Sequence, residues 1–316
     1  MGRLQDIRIV DQVLTNICRG YSNDIYIGNS LFPVVTVDKS GGKIPLWGKE
    51  AFRVHNTERA LRADSNRIDG GWLSLDVYAL TEHDLEMPID YQEIDEATIP
   101  IEQKYSKQVM DMILLGIEKE QADLAQALTT YPTGNKVTLA SNYFNEPTVD
   151  WIEYIHQKNA ALKSKIAKPA NTLIIGQHVW DLLKFHAKLK TYITVNTDMF
   201  NMVPTIAKLQ EVLDIPKVLV GGALYSTDAS DNFGYVWGNN IILAHVVDPP
   251  TGIARDIYDP CFGYTLRKKG FPFSDTYEEK KKIQVVRNTD NYQVKVVGAE
   301  SAYIINNPID PAVYAA

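Results

Sequence analysis

Residues 101–130 contain no proline and place Val109, Ile113, Ile117, Leu124 and Leu128 at four- and seven-residue spacing, which marks one buried face of a helix. Met112 and Gly116 lie beside that stripe, and Pro132 closes it. A helix of about 28 residues is roughly 42 Å long at 1.5 Å per residue. That is more than twice the usual 11–12 residues, so the segment is expected to be a strut around which the rest of the chain is arranged.

The region before the strut lacks such order. Residues 4–17 set Leu4, Ile7, Val10, Leu14 and Ile17 on one helical face, and an extended segment with Pro33 follows. Residues 38–67 are rich in glycine and basic groups and show no periodicity until Trp72, Leu73, Leu75, Val77 and Tyr78 predict a strand. A loop of this length inside a compact domain is uncommon and points to an excursion with a purpose. From residue 39 to 67 its charge is one-sided: Lys39, Lys43, Lys49, Arg53, Arg59, Arg62 and Arg67 stand against Glu50, Glu58 and Asp64. Residues 69–102 then carry no Lys or Arg but ten carboxylates, among them Asp76, Glu82, Asp84, Glu86 and Asp90. On charge alone the blocks read as two solvated faces. The sharper reading is pairing, within a hairpin or between chains.

After the strut, residues 149–166 predict a helix with Trp151, Ile155 and Leu162 on one side, ended at Pro169. TLIIGQHVWDLLKFHAKLK at 172–190 reads as strand, turn and helix, the outline of a catalytic elbow. A helix from Pro204 to before Pro216 and strand candidates KVLVGGALYS, YVWG and IILAHVV make residues 168–264 an α+β mixture. KKIQVVR and YQVKVVG flank NTDN and predict a β-hairpin with a four-residue loop.

Composition removes several function classes. Hydrophobic residues are 45% and charged residues 22% of 316, a globular balance. No apolar run reaches the roughly 18 residues of a membrane span, and the N-terminus reads as neither secretory signal nor myristoylation site. Two cysteines, Cys18 and Cys261, give no disulfide framework and suit a reducing compartment. A net charge of −7 argues against sequence-specific DNA recognition. The search for chemistry yields little. The six histidines show no close metal spacing, His83 in TEHDLE lacks a cation-loop pattern, and neither GxSxG nor a phosphate-binding glycine loop occurs. His178 and His186 read as core residues on an apolar stripe, and no catalytic residue, metal or cofactor is expected.

Several stretches in collinear order, covering most of the chain, do carry a resemblance. They are GYSNDIYIGNSLFPVVTVDKSGGKIPLWGKEAF, TERALRADSNRI, VYALTEHDLEMPID, PANTLIIGQHVWDLLKFHAKL, KVLVGGALYST, VWGNNIILAHV, FGYTLRKKG and KKIQVVRNTDNYQVKVVGAESAYIINN. Together they resemble the major capsid proteins of tailed bacteriophages, which share the Hong Kong 97-type capsid fold. The resemblance implies an N-terminal arm at 1–37, an E-loop at 38–80, a peripheral domain at 81–167 and 265–316 with 101–130 as its spine helix, and an axial domain at 168–264. It implies a shell of many copies, in pentamers and hexamers, around packaged double-stranded DNA held without base readout. Portal protein, and scaffolding or decoration proteins where used, are the implied partners, with no membrane. The implied setting is the virion, assembled in the host bacterial cytoplasm. Lys43, Lys49, Arg53, Arg59, Arg62 and Arg67 are then expected to meet Glu82, Asp84, Glu86 and Asp90 across a subunit boundary. Leu173, Ile174, Ile175, Trp180 and Leu183 are expected to pack the axial interior. Three alternatives stay open at this level: an encapsulin-like compartment enclosing enzymes, a minor virion protein, and a soluble enzyme using residues 172–190.

Overall fold

The computed structural model describes residues 26–46, 54–55, 57–59, 61–62, 64–67, 74–97, 99–194, 204–226, 233–247, 261–279 and 282–314. The expected helix at 4–17, Cys18, Trp72 and Leu73 lie outside them. The strut is a single helix, Ile101–Gln126, about 39 Å long at its 26 residues. Val109, Ile113 and Ile117 are buried as the spacing predicts, while Leu124 and Leu128 are half-buried. It ends four residues early because side chains claim its last carbonyls. The Thr130 hydroxyl donates to Leu124 O at 2.9 Å and the Tyr131 phenol to Ala125 O at 2.6 Å.

Beside this helix lies a sheet centred on one long strand, Ile283–Val296. Tyr292 pairs with both Arg267 and Thr81, so these partners lie on opposite edges. One edge carries Gly263–Lys268 and then Phe273–Glu279; the other carries Thr81–Asp90. The predicted hairpin is therefore wrong: NTDN, residues 288–291, runs straight through the strand. Two of its turn-forming side chains are taken up by partners on other elements. Asn288 Nδ2 donates to Ser106 O at 2.6 Å, and Asp290, fully buried, faces Arg267 at 2.8 Å. Local turn preference gives way to strand pairing on both sides.

Residues 26–37, expected as part of an extended arm, pack within their own chain. Gly28–Leu31 forms a helical turn, Val34–Val37 pairs in parallel with 265–268, and Ile27, Leu31, Phe32, Val35 and Val37 are buried. Glu118 of the long helix fastens this segment. Its carboxylate accepts Ile27 N at 3.0 Å, Gly28 N at 2.8 Å and the Trp237 indole N–H at 2.6 Å, at 1% exposure. Burial pushes the Glu118 carboxyl above its ordinary value, against three donors that favour the ion.

A second sheet has the order 136–138, 302–306, 240–244, 172–176, 217–221. Alternate side chains face two different cores. Ile174, Ile242 and Ile304 join the core under the long helix, whereas Leu173, Ile175, Ile241, Leu243 and Ile305 join one covered by Trp151–Ile166, Gln177–Leu183 and Ile206–Leu213. Burial on both faces explains why TLIIG is apolar without alternation. The helix expected over 178–190 is two, Gln177–Leu183 and Ala187–Thr194. His186 makes the break: its Nδ1 accepts Lys188 N at 3.2 Å, and its Nε2 lies 3.0 Å from Glu146 O.

Candidate assembly surface

The strand Thr81–Asp90 lies at a sheet edge. Its two-residue alternation places Glu82, Asp84, Glu86 and Asp90 on one face, all exposed. On the other face Ile89 is buried, Met87 packs against the first core, and His83 stacks on Tyr292 at 4.3 Å. His83 is thus a packing residue, and among the described residues no cluster of three His, Cys, Asp or Glu could hold a metal. Successive acids on one strand face stand roughly 7 Å apart, so they repel unless cations lie over them. Glu86 accepts the Tyr277 hydroxyl at 2.8 Å, which raises that phenol above its ordinary value. Asp90 caps the short helix Tyr91–Glu96 in a reciprocal capping box with Glu93. That Asp-x-x-Glu pattern was readable in the sequence, although the helix was not anticipated.

The basic excursion begins and ends on a two-stranded ribbon, Gly41–Leu46 with Ser74–Ala79. Its base has a local core: Ile44 is fully buried and Tyr78 is 7% exposed. The long central strand holds it. Ala79 N donates to Gln293 Oε1 at 3.1 Å, Lys295 donates to Val77 O, and Lys295 pairs with Asp76 at 2.7 Å. Asp76, part of the acidic block read from the sequence, is therefore engaged within its own chain, and Lys295 holds its carboxyl below the ordinary value. Lys295 was not singled out by sequence because its partner is 219 positions away.

Lys43 is exposed on the ribbon, opposite the exposed Val77. Every described residue from 54 to 67 is exposed, including Arg59, Arg62 and Arg67; Lys49 and Arg53 lie outside the described residues. Among the exposed residues are Val54 at 100% and Leu61 at 92%. Next to the acidic face, a cleft of about 300 Å³ is lined by Tyr91, Ile94, Tyr277, Glu278, Lys282 and Ile283, with Thr276 and Gln284.

The five residues expected to pack an interior are all buried, though not in one place: Leu173, Ile174, Ile175 and Leu183 are at most 1% exposed and Trp180 is 7%. Leu173, Ile175, Trp180 and Leu183 share one core, and Ile174 faces the other. In the supposed elbow, the His178 ring meets Tyr314 edge-on at 4.8 Å, and the backbone of Gly176 approaches that of Gly238 so closely that a Cβ would lie 2.1 Å from Gly238 O. The glycine of the elbow serves close packing of two chain segments. Among the described residues no helix is long and apolar enough to cross a membrane.

No protein-family model matches the chain. It is 44% identical over 308 residues to the major capsid protein of Burkholderia phage BcepMu, covering 97% of this chain and 99% of that protein. The crystal structure of a phage-related protein from Bordetella bronchiseptica superposes with a TM-score of 0.78 at 29% identity, covering 95% of this chain and 98% of that one. An encapsulin complex from Synechococcus elongatus is similar at a TM-score of 0.52 and 10% identity, over 90% of this chain and 88% of the other, a likeness of fold alone. Identity over nearly the full length, together with the two-core α+β architecture, places the chain: it belongs to the major capsid proteins of tailed bacteriophages, with the Hong Kong 97-type fold.

Proposed function

We propose that this coat protein closes its shell by laying the basic excursion of one copy over the acidic strand face of another. The observation that carries the reading is the complementarity of two exposed surfaces: Arg59, Arg62, Arg67 and Lys43 on one, and Glu82, Asp84, Glu86 and Asp90 on the other. Repetition of one modest contact around closed symmetry makes a stable shell from weak pairs, and opposed charge fixes register and disfavours wrong pairings. In this reading residues 1–37 act as the arm, anchored in its own chain through 26–37, with 38–80 as the E-loop, 81–167 with 265–316 as the peripheral domain and 168–264 as the axial domain. The copies form pentamers and hexamers around double-stranded DNA, which is held by confinement and unspecific charge. A portal protein, and scaffolding or decoration proteins where used, complete the particle, which is built in the bacterial cytoplasm.

The test is the double reversal Arg59→Glu with Arg62→Glu. The unassembled variant is expected to keep its circular dichroism spectrum and unfolding midpoint, while sedimentation and electron microscopy show loss of particles. Particles of normal yield and form from this variant would sink the charge-pairing reading.

A further inference from the structure

We propose that the cleft beside the acidic face is the seat for Leu61 of a second copy of this chain. The inference rests on the reading above that the excursion of one copy crosses the acidic strand of another, and it names the pocket and the residue that fills it. The cleft wall is mixed: Tyr91 and Ile94, three apart on the helix Tyr91–Glu96, and Tyr277 and Ile283 of the sheet supply its apolar and aromatic half, and Thr276, Glu278, Lys282 and Gln284 the polar half. Tyr91 and Tyr277 are large side chains left 49% and 38% exposed. A cavity of about 300 Å³ is at the small end for a ligand site and suits one or two aliphatic side chains.

The occupant follows from what the chain leaves uncovered and from charge. Leu61, at 92% exposure, stands two residues after Arg59 and directly before Arg62. Arg62 has φ 67°, the left-handed region that a non-glycine residue occupies at a cost, so the turn that presents Leu61 is a specified one. An aliphatic anchor between two guanidinium groups needs an apolar hole with an acidic rim. The cleft has that rim: Glu86 accepts the Tyr277 hydroxyl, Asp90 and Glu93 cap the helix bearing Tyr91 and Ile94, and Glu278 lines the wall. Two cations lie close by. Lys282 stands over the Tyr91 ring at 5.7 Å, and Arg287 stands over Tyr277 at 5.4 Å while paired with Asp275. With Arg287 and Asp275 cancelling, four carboxylates face one lysine, and the rim stays acidic.

The experiment uses assembled shells of the full chain carrying Leu61→Cys with Thr276→Cys, treated with a short bismaleimide linker, beside each single variant as background for the natural cysteines. A ladder of dimers and higher multimers on a denaturing gel, in the double variant only, is the expected result. Shells that assemble but show no more linkage than the single variants, or linkage confined to the monomer, overturn the proposal. A second measurement does not depend on the linker. Leu61→Asp should lower shell yield at least tenfold while Leu61→Met retains it, and equal yields from both would overturn the proposal as well. Loss of particles on reversing Arg59 and Arg62 without the ladder refutes the Leu61 seat alone. Normal particles after the reversal refute the wider reading.

Discussion

Glu118 gives the sharpest quantitative test of how the N-terminal segment is held. Glu118→Ala removes the acceptor for three buried donors, the amides of Ile27 and Gly28 and the Trp237 indole. Each orphaned donor costs about 1–3 kcal/mol, so the gross loss for three is about 3–9 kcal/mol. Not burying a carboxylate returns part of this, because burial already works against the ion. A net loss of about 3 kcal/mol is expected, a large share of the usual 5–15 kcal/mol. Glu118→Gln keeps one oxygen as acceptor and should lose about 1–2 kcal/mol. The measurement is urea unfolding of the unassembled protein, with a lowered midpoint at unchanged slope. Hydrogen exchange should quicken at Ile27 and Gly28 and stay slow at Leu173 and Leu243 in the other core. The sign of the pH effect follows from the raised folded value: this group's contribution is fully present below its unfolded pKa near 4.5 and is lost as pH rises through the folded value. The advantage of wild type over the Gln variant should therefore shrink as pH rises. A wild-type midpoint for Glu118→Ala would refute the reasoning, since three orphaned donors cannot be free of cost.

Trp180→Ala empties a large volume from the second core and should cost about 3–5 kcal/mol in the same unfolding assay, enough to abolish shells, whereas His178→Ala should leave them near normal by electron microscopy. The Lys295–Asp76 link holds the Asp76 carboxyl below its ordinary 3.8, so it is complete above that pH and lost as pH falls through the lower folded value. Protease cutting within 47–73 should accordingly rise in acid for wild type, and Lys295→Met should show the faster cutting already at neutral pH.

Periodic or long features of this chain could be read directly. The strut, the helix over 151–166 and the doubly buried strand at 172–176 follow from spacing and composition, because a helix or strand that buries a face must repeat its apolar residues at that period. The opposed charge blocks were legible as composition. Their placement was not: strand alternation and edge position put four acids on one exposed face. Asp76, from the same acidic block, is engaged instead by Lys295 from the far end of the chain. NTDN has the composition of a turn and is the middle of a strand, where Ser106 takes up Asn288 and Arg267 pairs with Asp290 from other elements. Glu118 looks like one more surface acid of a helix until Ile27, Gly28 and Trp237 close around it. Local sequence by itself determined which segments could be helix or buried strand, because periodicity is a property of neighbours along the chain. Only the tertiary structure decided which polar groups are buried and paired and which stand exposed, because hydrogen bonds and ion pairs are completed by partners on other elements, tens to hundreds of positions away.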